Sequence, residues 1–336
     1  MRAVVWHGVG DIRLDEVPDP KLQDETDAII RLTASAICGT DLHFVRGTFT
    51  GMKPGTILGH EGVGVVEQLG SMVRNFDIGD RVVICSTVGC GTCSYCRAGY
   101  YAQCDNANPN GKDAGTCFFG GPEPTGPVNG LQAERARIPF AATTMVKLPD
   151  EVSDDQAILI SDIFPTGWFG ADMAGIKPGH TVAVLGAGPV GQFAVASAKL
   201  MGAGRVFAVD SHDDRLEVAR RQGAEIVNFD REDPVQTLVE LTGGVGVDAV
   251  IDAVGVDAQH RITARPRRRP TSRPRRSASR CSRSRRRRSR RTGSGCPATR
   301  RGRRCNGAWR PWPRPGRSPS SASIRRRRRL SPSAWR

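Results

Sequence analysis

At 336 residues the chain is long enough for two domains with their own cores, and its 49 Lys and Arg against 34 Asp and Glu give a formal net charge of +15. That total hides two unlike parts: 29 of the basic residues are arginines within 261–336, a stretch without Lys, Asp or Glu, so residues 1–260 keep 20 basic and 34 acidic side chains, a net of −14. Only the tail has the charge of a nucleic-acid binder, no apolar run is long enough to span a membrane, and Met1-Arg2-Ala3-Val4-Val5-Trp6 passes into a polar turn in place of a secretory leader, so a cytoplasmic address is expected.

Residues 1–14 alternate apolar positions with glycine turns and predict a β-hairpin, and Asp27-Ala28-Ile29-Ile30-Arg31-Leu32-Thr33-Ala34 predicts a further strand. Next comes Cys38-Gly39-Thr40-Asp41-Leu42-His43, and then Gly59-His60-Glu61-Gly62-Val63-Gly64, with a further glycine at Gly70. An imidazole and a carboxylate set between glycines suit a metal held close to backbone. Cys38, His60 and the distant Asp162 together offer a thiolate, an imidazole and a carboxylate, three zinc ligands with a fourth position open to water or substrate, as catalytic zinc requires. His60 taken alone has a plainer reading, as an ordinary structural histidine. Asp41 is placed to accept a hydrogen bond from a ligand histidine, and Glu61 is open to two readings, a support for the ligands or a transient extra ligand. Glycines then interrupt short apolar segments between 59 and 84, which predicts a small, irregular β domain.

Cys90, Cys93, Cys96 and Cys104 follow at short, regular spacing in a glycine-rich polar loop. Four thiols so spaced can wrap one tetrahedral ion, and zinc with four thiolates is a closed structural site; a pair of disulfides is the alternative, disfavoured in a reducing compartment. Cys85 and Cys117 fall outside the spacing and read as buried or incidental thiols. Residues 118–129, rich in glycine and proline, predict a long surface loop; Gly130-Leu131-Gln132-Ala133-Glu134 predicts a strand, and the first domain ends near residue 150.

From 151 to 260 strands and helices alternate. Ser153 caps a helix with Gln156 three residues on, and Asp162 rides on the connection that follows. Thr181-Val182-Ala183-Val184-Leu185 reads as a buried strand, Gly186-Ala187-Gly188-Pro189-Val190-Gly191 as a turn opening a helix over 192–201, and Arg205-Val206-Phe207-Ala208-Val209 as a second strand ending at Asp210. A GxGxxG turn is weak evidence alone, but between a strand and a helix, with an acid about twenty residues on, it marks a dinucleotide site. The glycines, with Pro189 and Val190, let the pyrophosphate approach a helix N-terminus, and Asp210 binds the ribose hydroxyls and repels a 2′-phosphate, favouring NAD over NADP. Helices at 213–222 and 234–242 and strands at 225–228 and 248–252 complete a parallel, doubly wound pattern.

The pattern stops after His260. The tail is Arg, Ser, Pro and Ala, with runs at 285–288 and 325–329 and no apolar periodicity, so disorder is expected. A genuine basic arm could bind nucleic acid through its arginines and three tryptophans. The favoured reading is an out-of-frame translation of a GC-rich gene, because the change falls in the middle of a domain.

The Gly59-His60-Glu61 segment with Gly64 and Gly70 resembles the zinc-dependent alcohol dehydrogenases of the medium-chain dehydrogenase/reductase family, and Ser161-Asp162-Ile163-Phe164-Pro165-Thr166-Gly167 looks most like its glutathione-independent formaldehyde dehydrogenase branch. The resemblance covers residues 1 to about 260. It implies an α/β chain with a partly closed, chaperonin-like β-barrel over residues 1–150 that bears the catalytic zinc, and a doubly wound Rossmann sheet over 151–260, left incomplete by the tail. It further implies catalytic zinc at Cys38, His60 and Asp162, structural zinc at the four cysteines, and NAD as hydride acceptor from a small alcohol or aldehyde hydrate. The same resemblance implies that Thr40 and His43 form the proton relay, His43 having the alternative of an ordinary surface imidazole, and that the turn after the fourth strand lies against the cofactor. The family's homo-oligomer pairs through strands that 261–336 do not supply. A reading of a different class is a catalytically inactive zinc-binding fragment with a nucleic-acid-binding tail.

Overall fold

The computed structural model describes residues 1–255. The chain opens with strands β1 (Arg2–Gly8) and β2 (Asp11–Glu16), an antiparallel hairpin, and continues into β3 (Ala28–Ser35) and helix α1 (Gly39–Arg46). Strands β4 (Thr56–Ile57), β5 (Gly62–Leu69) and β6 (Arg81–Ile84) follow, then the helical turn α2 (Ser94–Arg97), β7 (Arg135–Ile138), the turn α3 (Ala141–Thr144) and β8 (Met145–Lys147). These strands form two antiparallel sheets, β2-β1-β4 and β7-β3-β5-β6-β8. Alternate residues of the larger sheet, among them Ala28, Ile30, Val66, Val82, Ile84, Ala136 and Ile138, close on Leu131 and the fully buried Phe119. The spaced glycines of β5 and its end are steric requirements. A Cβ on Gly64 would lie 2.4 Å from the Arg31 carbonyl oxygen and one on Gly70 2.3 Å from that of Glu25, so larger residues would force the strands apart.

After β8 come α4 (Asp154–Ala157), capped by Ser153 and Gln156 in a reciprocal box, and α5 (Ile163–Met173). Then β9 (Thr181–Leu185), α6 (Pro189–Leu200), β10 (Arg205–Asp210), α7 (Asp213–Arg221), β11 (Glu225–Asn228), α8 (Pro234–Leu241) and β12 (Ala249–Asp252) alternate, and the four strands form a parallel sheet in the order β11-β10-β9-β12. Both faces of this sheet are covered. Val182, Val184, Val206 and Ala208 pack in one cluster with Ala194 and Ala198 of α6, while Ala183, Phe207, Val209 and Val227 pack in another with Leu238 of α8. That is why the strands read as unbroken apolar runs. The strand order reverses between β9 and β12, where doubly wound sheets bind ligands beyond their carboxyl ends.

Three local expectations change. Residues 130–134 form only an isolated bridge, Ala133 to Ala3, and the strand begins at Arg135. Gly130, Leu131 and Gln132 instead donate their N–H groups to the carbonyls of Ile57, Gly59 and Leu58, running irregularly beside the segment that leads into β5. The 118–129 segment is irregular as expected but not superficial, since Phe119 and Val128 are buried in the barrel core. Helices α1 and α5 were not anticipated. In α5 a proline and two glycines mask the helix, yet a Cβ on Gly167 would stand 2.8 Å from the Ala194 backbone nitrogen, so this glycine is what lets α5 lie against α6. Among the described residues no helix is long and apolar enough to cross a membrane. The expectations for 261–336 lie outside the described residues.

Candidate metal and dinucleotide sites

Three separate elements converge on the first cluster. Cys38 stands at the N-terminal cap of α1, which is anchored by the buried Phe44 against Trp6 and Leu58, with Trp6 Nε1 donating to the Phe44 carbonyl at 3.2 Å. His60 and Glu61 occupy the turn into β5, and Asp162 immediately precedes α5. The ligand atoms of Cys38, His60, Glu61 and Asp162 all lie within 4.8 Å of one another. His60 Nε2 is 3.4 Å and Cys38 Sγ 3.8 Å from Asp162 Oδ2. For bonds of about 2.0–2.3 Å to a central zinc, the edges of the ligand tetrahedron measure about 3.3–3.8 Å, so the spacing and the S, N, O donor set fit that ion.

Buried polar atoms lead to the same place. Among the described residues, the buried side-chain atoms without a hydrogen bond include Glu61 Oε1, His60 Nδ1 and Asp41 Oδ1. The last two face each other at 3.3 Å, a close ion-pair contact that misses hydrogen-bond alignment. Burial works against a charge on His60, but the carboxylates of Asp162 and Asp41 and the Cys38 thiol outweigh it and hold the imidazole pKa well above its usual value. Burial pushes Glu61 up to about 7, with His60 opposing and Asp162 and Asp41 adding to the rise. Asp162, though burial works against its charge, is held below the usual carboxylate range by His60, Ser86 and Thr166. A buried imidazole ringed by acids is an environment selected for positive charge.

The other residues singled out from sequence lie on α1, beside Cys38. Thr40 Oγ1 is 3.8 Å from Cys38 Sγ, and His43 follows one turn later on α1. The His43 ring packs edge-on to Phe49, and its Nε2 is 3.6 Å from where a Cβ on Gly255 would stand, so it faces the end of β12. Asp41 is almost wholly buried; its Oδ2 accepts the Cys38 N–H at 2.9 Å and a Gln132 Nε2–H at 3.3 Å. Gln132 was missed from sequence, as were Ser86 and Thr166, whose hydroxyls both donate to Asp162 Oδ1 at 3.0 Å. Thr166 lies four residues past Asp162, a spacing that signals contact only once a helix is recognised there.

The four-cysteine loop closes on itself. The sulfurs of Cys90 and Cys96 are 4.0 Å apart, those of Cys93 and Cys104 3.9 Å, and all seven described cysteines are free thiols, so no disulfide links them. Backbone N–H groups of Thr92 and Cys93 point at Cys90 Sγ and that of Asn106 at Cys104 Sγ, each at 3.4 Å. Against burial, hydrogen bonds from Thr92 and Cys93 pull Cys90 down to about 6. Burial first, and then neighbouring thiols, push Cys96 up to about 12. Burial likewise lifts Cys117, outside this loop, to about 12, as an inert core thiol requires.

At the dinucleotide turn α6 begins at Pro189, earlier than expected, with Gly188 as its cap. A Cβ on Gly191 would fall 1.9 Å from the Gly186 carbonyl oxygen, so only glycine lets the first helical turn sit on the loop. Asp210 ends β10 almost wholly buried; its Oδ2 accepts the Ala187 N–H at 2.7 Å, and its Oδ1 accepts those of Ser211 at 2.7 Å and His212 at 3.0 Å. Burial opposes its charge, but these N–H groups and the His212 ring hold its pKa below the ordinary value.

Comparison with known proteins bears on the family and the fold. Residues 24–150 match the alcohol dehydrogenase GroES-like domain and residues 189–263 the zinc-binding dehydrogenase model. An uncharacterized zinc-type alcohol dehydrogenase-like protein of Bacillus subtilis is 44% identical over 263 residues, covering 77% of this chain and 69% of its own. A glutathione-independent formaldehyde dehydrogenase of Pseudomonas aeruginosa is 38% identical, covering 77% of this chain and 66% of its own. Among solved structures, alcohol dehydrogenase TADH from Thermus sp. ATN1 superposes with a TM-score of 0.69 at 38% identity, over 76% of this chain and 71% of its own. With two family models matched and a relative 44% identical over 69% of its own length, the chain belongs to the zinc-type alcohol dehydrogenase family.

Proposed function

We propose that this chain is an oxidoreductase that moves a hydride between a small alcohol or aldehyde hydrate and NAD, with its metal-binding domain in residues 1–150 and its nucleotide domain in 151–260. The observation that carries the reading is the convergence of Cys38, His60 and Asp162, with Asp162 Oδ2 at 3.4 Å from His60 Nε2 and 3.8 Å from Cys38 Sγ, edge lengths of a zinc tetrahedron. Cys38, His60 and Asp162 hold the catalytic ion, and Cys90, Cys93, Cys96 and Cys104 hold a second, structural one. Bound at the first site, zinc supplies a Lewis acid for the substrate oxygen. NAD supplies the hydride acceptor.

The protein's own groups do the rest. Asp41 fixes the His60 ring so that Nδ1 carries the proton and Nε2 faces the other ligands. Thr40 Oγ1 would relay the substrate's hydroxyl proton, accepting it while releasing its own proton toward His43, one turn on, which passes a proton outward. Glu61 keeps a carboxylate within reach of the ligand set. Gly186, Gly188, Pro189, Val190 and Gly191 present the N-terminus of α6 to the pyrophosphate, and Asp210 accepts the ribose hydroxyls and disfavours a 2′-phosphate. The test is zinc per chain measured together with NAD reduction on simple alcohols. Two zinc ions and chelator-sensitive reduction are expected, and a chain that holds no zinc at the Cys38 site sinks the reading.

A further inference from the structure

A carboxylate can grip an ion through one oxygen or both, and what else its oxygens bond to decides which. The two oxygens of Asp162 are treated differently. Oδ2 faces His60 Nε2 at 3.4 Å and Cys38 Sγ at 3.8 Å, while Oδ1 accepts two hydroxyls, Ser86 Oγ and Thr166 Oγ1, each at 3.0 Å. Two donors use both in-plane lone pairs of that oxygen.

We propose that Ser86 and Thr166 are positioning residues that commit Oδ1 of Asp162 and so hold this ligand to a one-oxygen grip on the metal through Oδ2. The inference rests on the zinc reading above and adds to it the device that keeps the fourth coordination position clear. The clamp comes from two directions. Ser86 lies just past β6, and its N–H bonds the Ser161 carbonyl at 3.2 Å; the Ser161 hydroxyl in turn donates to the Ile84 carbonyl and accepts the Gly62 N–H at 3.1 Å. Thr166 lies one turn into α5, and its N–H bonds the Asp162 carbonyl at 2.9 Å. The backbone on both sides of Asp162 is thus fixed, and rotation of the carboxylate is the freedom that the hydroxyls remove. A cysteine has a single donor atom and would need no such clamp, whereas an aspartate has two oxygens to divide.

The test uses the full chain with zinc kept in the four-thiol site and Co²⁺ exchanged into the Cys38 site, comparing Ser86→Ala, Thr166→Val and the double variant with Thr166→Ser. Retention of the four-thiol zinc reports that each variant is folded. In the double variant the freed Oδ1 joins the ion, so the visible cobalt bands weaken as coordination rises from four to five, and zinc affinity at this site falls about ten- to hundredfold. Thr166→Ser, which keeps a hydroxyl, retains the parent's cobalt bands and affinity. Cobalt bands and affinity unchanged in the double variant overturn the positioning role while leaving the zinc reading intact; a parent chain that takes up no metal at Cys38 overturns both.

Discussion

Asp41→Asn exchanges one side-chain oxygen for an NH₂ group and separates the structural from the chemical work of this residue. The carboxylate works on two sides at once: Oδ2 accepts the Cys38 N–H and the Gln132 Nε2–H, and Oδ1 faces His60 Nδ1 at 3.3 Å. An amide has one acceptor oxygen and cannot serve both. If that oxygen keeps the Cys38 N–H, its NH₂ faces His60 and drives the imidazole proton from Nδ1 to Nε2, the nitrogen that faces Cys38 and Asp162. If it flips, the NH₂ meets the Cys38 N–H, and a buried backbone donor is stranded at a cost of about 1–3 kcal/mol. The first arrangement is favoured. Asp41→Asn therefore loses about ten- to hundredfold in zinc affinity at the Cys38 site, about 1.4–2.7 kcal/mol, with little change in the unfolding midpoint of the metal-free protein. Competition against a chromophoric chelator reads the affinity, and ¹⁵N chemical shifts of the His60 ring read the tautomer. Parent-like zinc affinity with the proton still on Nδ1 would refute the reasoning.

Gly191→Ala places a methyl 1.9 Å from the Gly186 oxygen, so α6 must move and NAD binding, followed by fluorescence titration, should be lost together with about 1–3 kcal/mol of stability. Asp210→Gly removes the acid at the end of β10, and the NADP-to-NAD preference should rise at least tenfold in titrations with each cofactor; an unchanged ratio would show that Asp210 does not read the ribose. Cys93→Ser opens the four-thiol loop, and zinc measured per chain should fall from two to one with a lower melting temperature. In the coding DNA, one of the other two frames past codon 261 should encode alternating apolar strands; if neither does, the out-of-frame reading of the tail is wrong.

What could be read in advance follows from physics local to the sequence. Strands β9 and β10 lie between two helical layers, so each residue meets a core and the run is unmistakably apolar. The glycine turn was legible because steric contact at Gly191 admits nothing larger. Helix α5 was not, because Gly167 and Pro165 lower its helix propensity while packing against α6 sustains it. Helix α1 is short and polar, its residues chosen for the cluster they face and not for a periodic apolar stripe. The 118–129 segment has the composition of a surface loop, yet Phe118 lies edge-on to His60 at 6.2 Å and Phe119 enters the core, contacts that no local pattern announces. Cys38, His60 and Asp162 carry no mutual spacing signal, so only their donor chemistry and the family resemblance link them in the sequence. Ser86, Gln132 and Thr166 stayed hidden because each acts through a side-chain bond made only after the elements pack.

The most direct measurement is anomalous scattering at the zinc absorption edge from crystals of the zinc-loaded chain. The account requires one peak within about 2.0–2.3 Å of Cys38 Sγ, His60 Nε2 and Asp162 Oδ2 together, and a second among the four loop sulfurs. A zinc ion that leaves any of Cys38, His60 or Asp162 outside bonding distance would contradict it.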